Sequence, residues 1–291
     1  MALSQHPLPE PPSYMEYQGI LFPAINIKQE SLEAVKMFEI RDDDVVIVTY
    51  PKSGTNWMYE VVHKILTGKK ENITPVGLEF WPPGKQPSYI QLRETPSPRL
   101  MYTHLQHQLA PPGLAAPVNK LSHNILQVKV IVVLRNPKDI CVSFYHYCQK
   151  HAYLKNPESW EHHNRDFLDG KMVFGGDYFD QVLGWWQMRN DPHFLFVKYE
   201  DMKKDFRSSV KTIAAFLEKE LTDEHLNLIL NSCSLESMRK ALTESGTSRN
   251  TIVRKGMVGD WKNHFSAEES ARFDQKYRER MAGTGLEFDF E

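Results

Sequence analysis

The chain has 291 residues, 41% of them hydrophobic, 11% aromatic and 25% charged, the mixture of a globular protein with material for a sizeable core. Its 35 lysines and arginines stand against 37 aspartates and glutamates, a net charge of -2 that excludes a global basic field for nucleic acid or an anionic membrane, so any anion site has to be local. No run of about 18 apolar residues offers a membrane span. Three cysteines, Cys141, Cys148 and Cys233, with no CxxC pair, argue against a disulfide framework or a zinc knuckle and for reduced thiols in a cytoplasmic protein.

Residues 1–16 read as a Pro-rich N-terminal arm carrying Pro7, Pro9, Pro11 and Pro12, without the apolar run of a signal peptide or anchor. From 17 to 291 no linker or internal repeat divides the chain, and one domain is the economical reading. The spacing of Leu32, Val35 and Phe38 predicts a helix over 31–38. Arg41-Asp42-Asp43-Asp44 reads as a solvated turn, and the β-branched run Val45-Val46-Ile47-Val48-Thr49-Tyr50 behind it as a strand covered on both faces. After the segment Tyr50-Pro51-Lys52-Ser53-Gly54-Thr55-Asn56-Trp57, the stripe of Trp57, Val61, Val62, Ile65 and Leu66 predicts a helix that Gly68 ends. Residues 68–99, rich in proline and holding Phe80, Trp81 and Tyr89, read as one long loop of the kind that covers a substrate site.

A second buried run, Val128 to Leu134, leads through Arg135-Asn136-Pro137 into a helix near Asp139. A third, Phe194 to Val197, ends at Lys198-Tyr199-Glu200-Asp201, and helical segments follow at 210–218, 224–230 and 268–281. Alternating strands and helices predict a single α/β domain, a central parallel sheet flanked by helices with a P-loop-like strand-loop-helix nucleotide site. In such a sheet ligands bind beyond the carboxyl ends of the strands, where helix N-termini point at anions. Lys52 to Asn56 hold that position, with approachable backbone N–H groups, two hydroxyls and a mobile cation. The Walker A pattern is not met, because Lys52 precedes Gly54 instead of following a glycine.

YPKSGTNW, then RNPKD with Ser143 eight residues after Arg135, then VRKGMVGDW form an ordered set that resembles the cytosolic sulfotransferases from about Tyr17 to the C-terminus. The resemblance implies a donor, 3′-phosphoadenosine 5′-phosphosulfate (PAPS), with its phosphosulfate in the loop of Lys52, Ser53, Gly54, Thr55, Asn56 and Trp57, and Trp57 near the adenine. It assigns the 3′-phosphate to Arg135, Ser143, Arg254, Lys255 and Gly256. A dianionic phosphate is suited by an arginine fork, a hydroxyl and further cations. The adenine pocket falls on Tyr199, Cys233, Ser234, Leu235 and Met238, where Cys233 and Leu235 replace a threonine and a phenylalanine common in relatives and make the pocket less polar and less aromatic.

By the same resemblance His104 is the base that deprotonates the acceptor hydroxyl, among 12 histidines. His104, Lys52 and Ser143 form the catalytic group, Lys52 balancing charge on the bridging oxygen of an in-line displacement, with no metal required. A metal pair of His104 with His107 lacks cysteine or acidic partners at ligand spacing. Relatives usually carry a lysine two residues before the base and a proline two after it, where this chain has Tyr102 and Gln106. Phe22, Phe80, Trp81, Phe144, Tyr145 and Tyr147 fall near segments that wall the acceptor pocket in relatives, which suits a small aromatic or apolar alcohol, phenol or amine, although core packing explains each equally well. The family's C-terminal dimer segment aligns with 262–271 and keeps only its lysine, Lys262, pointing to a monomer or weak homodimer. Two other readings stand beside this one: a small-molecule or nucleotide kinase, for which a 3′-phosphate site has no purpose, and a non-catalytic nucleotide-binding protein, against which His104 and Lys52 speak.

Overall fold

The computed structural model describes residues 12–115, 127–151, 153–244 and 254–291. Most of the N-terminal arm, up to residue 11, and residues 245–253 lie outside them. A hairpin opens the described chain: β1 (Tyr14–Tyr17) pairs antiparallel with β2 (Ile20–Pro23). Gln18 and Gly19 between them both have positive φ, as a two-residue hairpin turn requires. Among the described residues regular structure therefore starts at Tyr14, inside the segment read as an arm. Helix α1 (Gln29–Lys36) begins two residues before the predicted start and ends before Phe38.

Four parallel strands form the sheet: β3 (Val45–Thr49), β4 (Leu100–Thr103), β5 (Lys129–Leu134) and β6 (Phe194–Lys198), in the order β4-β3-β5-β6. Period-two alternation explains why β3 and β5 read as continuous apolar runs. Val46, Val48, Val130, Val132 and Leu134 enter one core, while Val45, Ile47, Ile131 and Val133 enter a second core on the opposite face. The chain leaves β3 for β4 on one side and crosses back to β5 on the other, so the order reverses between β3 and β5. Such a switch point opens a crevice at the strands' carboxyl ends.

Helix α2 (Thr55–Thr67) follows β3 and stops at Gly68, whose φ of 68° gives the left-handed cap. The region 68–99 is not one loop: α3 (Ser88–Glu94) forms within it, starting after Pro87, and α4 (Pro112–Ala115) is a single turn. Helix α5 (Pro137–Cys148) begins with proline at its first position and an Asn136 side chain accepting from the Asp139 N–H. Helices α6 (Trp160–Leu168) and α7 (Tyr178–Trp186), capped by Ser159 and Asp177, were not signalled by the sequence reading. After β6 come α8 (Tyr199–Lys204), α9 (Phe206–Phe216), α10 (Asp223–Ser232), α11 (Leu235–Glu244) and α12 (Ala267–Met281), with predicted cores at 210–218, 224–230 and 268–281 extended or trimmed at their caps. Among the described residues no helix is long and apolar enough to cross a membrane.

The turn before β3 differs from the sequence reading. Asp42 and Asp43 are exposed, but Asp44 is fully buried and takes two hydrogen bonds from the equally buried Arg99, at 2.7 and 2.5 Å. Arg99 also reaches the carbonyls of Glu39 and Leu92. A buried carboxylate needs this saturation of partners, and the aspartate run was read by composition without sight of an arginine 55 residues on.

Candidate active site

Each sheet strand delivers one predicted site residue at its carboxyl end: Lys52 after β3, His104 after β4, Arg135 after β5 and Tyr199 after β6. They line one cavity of about 660 Å³. Register brings the first two together, because Val48 is level with Thr103 and so Thr49 with His104. The Thr49 carbonyl lies 2.9 Å from His104 Nδ1 and the Thr49 hydroxyl 3.0 Å from it. A carbonyl only accepts, so Nδ1 carries the proton and Nε2 keeps a free lone pair. Burial, only partly offset by the Thr49 hydrogen bond and reinforced by Lys52, lowers His104 to about 4 and keeps it neutral. The His104 N–H donates to Glu79 Oε1 at 2.9 Å, and burial pushes Glu79 up to about 7.

The loop after β3 turns tightly, with the Ser53 N–H donating to the Tyr50 carbonyl at 3.1 Å. Lys52 has φ of 75°, unusual for a residue with a side chain, and Arg135 Nη1 holds the Lys52 carbonyl at 2.9 Å. Gly54 has φ of 105°, and a Cβ there would stand 3.0 Å from the Tyr199 ring. The first turn of α2 leaves the N–H groups of Thr55, Asn56 and Trp57 without helical partners, directed at the cavity end. Thr55 also shares a hydrogen bond of 2.8 Å with Thr49. The Lys52 ammonium rests 3.9 Å above the Tyr147 ring, and burial first, Arg135 second, lower it to about 7.

At one end of the cavity Trp57 donates to the Cys233 carbonyl at 2.9 Å and packs edge-on against Tyr199, whose ring also carries the Arg135 guanidinium at 4.3 Å. Leu235, Met238, Arg254, Lys255 and Gly256 complete this end. Arg254 and Lys255 pair with Asp260, in the 3-10 turn Asp260–Asn263, at 2.5 and 2.6 Å. Burial works against ionisation of Asp260, but hydrogen bonds from Lys255, Arg254 and Asn263 outweigh it and hold the carboxyl below its usual range. At the other end stand Phe80, Tyr102, Tyr147, His151, Tyr153 and Phe174.

Three comparisons bear on these features. A family model described as a sulfotransferase domain matches residues 42–285. The chain belongs to the sulfotransferase family. An amine sulfotransferase of Oryctolagus cuniculus is 36% identical over 94% of this chain and 92% of its own length, and sulfotransferase 2A1 of Homo sapiens 35% over 92% and 95%. A mouse sulfotransferase solved in complex with PAP superposes with a TM-score of 0.80 at 35% identity, covering 93% of this chain and 95% of that one.

Most residues singled out from the sequence of this sulfotransferase do face the cavity: Lys52, Gly54, Thr55, Asn56, Trp57, His104, Arg135, Ser143, Tyr199, Cys233, Leu235, Met238, Arg254, Lys255, Gly256, Phe80 and Tyr147. Others are placed elsewhere. Ser53 is buried under the loop, and the Ser234 hydroxyl caps α11 by accepting from the Ser237 N–H. Phe144 is fully buried in the core, because Ser143 and Tyr147, four apart on α5, take the cavity face and leave the next position pointing inward. Tyr145 packs on Trp160 and His163. Phe22 is core under the hairpin, and Trp81 stands outside the lining with its ring N–H on the Lys85 carbonyl and Lys28 above it. Thr49, Glu79, Tyr153 and Phe174 were missed. A threonine closing a strand just before the loop was the one signal available, and the others depend on long-range contact. Among the described residues no group of three or more histidine, cysteine, aspartate or glutamate residues is placed to hold a metal ion.

Proposed function

We propose that this sulfotransferase moves the sulfuryl group of PAPS to a hydroxyl or amine of a small aromatic or apolar acceptor, in line, in the cytoplasm, with 17–291 as the working domain and with a monomer or weak homodimer as the working form. The observation that carries it is one cavity with Arg135, Arg254 and Lys255 beside Trp57 and Tyr199 at one end, the rings of Phe80, Tyr102, Tyr147 and Phe174 at the other, and Lys52 and His104 lining it between. The donor fits the residues present. Arg135 Nε and Arg254 Nε are buried without a hydrogen-bond partner among the described residues, donors that an anion would satisfy. Gly54 and Gly256, both at positive φ, leave room that a Cβ would fill against Tyr199 and Leu235.

The donor supplies an activated sulfuryl group on a phosphate leaving group. The chain's part follows from its geometry: neutral His104 accepts the acceptor's proton at Nε2, its ring fixed by Thr49. Lys52 and the N–H groups opening α2 stabilise the negative charge that gathers on the leaving oxygen. Trp57 and Tyr199 wall the adenine, while Arg135, Ser143, Arg254 and Lys255 take the 3′-phosphate. A sulfuryl group carries less charge than a phosphoryl group, so lysine and backbone donors meet the need without a metal clamp.

The test is incubation with sulfur-labelled PAPS and a panel of phenols, steroids, catecholamines and alkyl alcohols, beside His104→Ala. Labelled product that His104→Ala loses supports the reading. Transfer undiminished in His104→Ala refutes the assigned base, and no transfer to any acceptor refutes the catalytic reading.

A further inference from the structure

Asp260 does not line the cavity, yet it is tied to two of its cations. Its side chain is 1% exposed, and its two oxygens divide the work: Oδ2 takes Arg254 Nη2 at 2.5 Å, and Oδ1 takes Lys255 Nζ at 2.6 Å and Asn263 Nδ2 at 3.0 Å. Its carbonyl accepts from His264 Nδ1 at 3.1 Å. The backbone on both sides is pinned as well, since Asp139 on α5 accepts the N–H groups of Gly259 at 2.8 Å and Trp261 at 3.0 Å. Asp260 is thus an anion held on a pinned stretch of chain, to which the two cations are drawn. Lys255 is 46% exposed along its side chain, and a free lysine or arginine of that exposure samples many rotamers.

We propose that Asp260 is the positioning residue of the 3′-phosphate site: it pre-sets Arg254 and Lys255 as a convergent pair, and so selects donors that carry a 3′-phosphate. This inference rests on the assignment of Arg254 and Lys255 to that phosphate. The pairing leaves Arg254 Nε buried and without a partner among the described residues, a donor still available to a ligand. A carboxylate behind two cations also lowers their local excess charge. Removing it therefore has two opposed consequences, a stronger field for the phosphate and a loss of orientation. With Lys255 otherwise loose and Arg254 losing its only hydrogen bond of good length to a side chain among the described residues, orientation dominates.

The readout is the ratio of dissociation constants for 5′-AMP and for adenosine 3′,5′-bisphosphate, which isolates the 3′-phosphate from the rest of the nucleotide. Titration calorimetry on the full chain supplies it for wild type, Asp260→Asn, Asp260→Glu and Arg254→Ala. The expected result is a ratio reduced at least about tenfold in Asp260→Asn and less in Asp260→Glu, with the 5′-AMP constant itself moving less than about threefold. A generally loosened structure would weaken both nucleotides together and leave the ratio alone. If Asp260→Asn does not fold, Asp260→Glu reads the same quantity. An unchanged or increased ratio in the Asp260 variants, with Arg254→Ala lowering it, overturns the positioning role alone. A ratio that Arg254→Ala also leaves unchanged overturns the assignment of the 3′-phosphate site.

Discussion

Replacing Lys52 by alanine removes the ammonium that stands on the Tyr147 ring at the end of β3. A unit charge about 4 Å from developing negative charge is worth ~4 kcal/mol at an effective dielectric constant of about 20. Loss of one preorganised donor costs roughly 2.7–4 kcal/mol, or 10²–10³ in kcat, where it has been isolated. Tyr102, not a lysine, neighbours His104, with ring centroids 5.1 Å apart, so no ammonium at that position takes over. The expected outcome is a kcat lowered at least about 10²-fold at saturating donor and acceptor. Initial rates with sulfur-labelled donor measure it, with Lys52→Met as an apolar control of similar length. A Lys52→Ala enzyme within about fivefold of wild type refutes the reasoning. Burial and Arg135 lower Lys52 to about 7 in the free protein, so bound phosphate favours a proton that the free lysine loses above that pH. The lysine's contribution to affinity for the bisphosphate product is accordingly full below pH 7 and declines above it. In Lys52→Ala the lysine's share of that dependence disappears and the remainder belongs to Glu79 and Glu200, which burial also pushes up to about 7; a slope as steep as in wild type refutes the assignment to Lys52.

His104 is held neutral down to about 4, so the acid limb of kcat/KM falls near pH 4 instead of near 6.5, and His104→Gln lowers kcat by about 10²–10⁴; an acid limb above pH 6 in a full pH-rate profile refutes this. Because folding prefers its neutral form, His104 also contributes stability that is present above pH 6.5 and lost as pH falls towards 4. Arg99→Leu strands the Asp44 carboxylate in the core and costs on the order of 3–5 kcal/mol in urea unfolding, where a loss under 1 kcal/mol contradicts the buried pair. Gly256→Ala forces a side chain into φ of 64° with its Cβ 2.5 Å from Leu235, and raises the donor KM about tenfold or more through strain on the order of 1–3 kcal/mol; an unchanged KM shows that the loop yields freely.

Features fixed by local spacing were legible in the sequence. Two β-branched runs and the apolar stretch Phe194 to Val197 read as sheet strands, and the loop after the first of them carried its chemistry in consecutive residues. Elements whose reason lies elsewhere were not legible. Helix α3 starts after Pro87 in a stretch whose prolines argued for loop, and α6 and α7 mix polar and aromatic positions that settle only in tertiary contact, α6 against α5 and α12, α7 against the 3-10 turn His107–Leu109 and Arg280 of α12. The acceptor wall suffered most. Phe144 and Tyr147 differ by three positions on one helix and go to opposite fates, and Phe174 reaches the cavity with φ of 70° from a turn that no pattern announced.

The cavity's positive field in a chain of net charge -2 follows from how its nearest carboxyl groups are treated. Glu79 lies under His104 and Glu200 beside Arg135, where it accepts the Asn136 N–H; either, if ionised, would offset a cation of the site. Burial pushes both up to about 7, so near neutral pH each is only partly charged. Asp260 is treated in the opposite way, with enough donors to stay ionised despite its burial. The contrast separates two tasks. On the proposed assignment, the surroundings of the sulfuryl group, where charge changes during the reaction, are kept low in negative charge so that Lys52 and the N–H groups of α2 act undiminished. At the proposed 3′-phosphate site, where charge does not change, a permanent counter-anion orients the cations and costs nothing in the transition state relative to the bound ground state. It follows that neutralising Asp260 acts on donor affinity and leaves kcat unchanged, whereas neutralising Lys52 acts on kcat in addition to nucleotide affinity. A double variant whose losses in the two quantities simply combine would bear out that the two ends work independently.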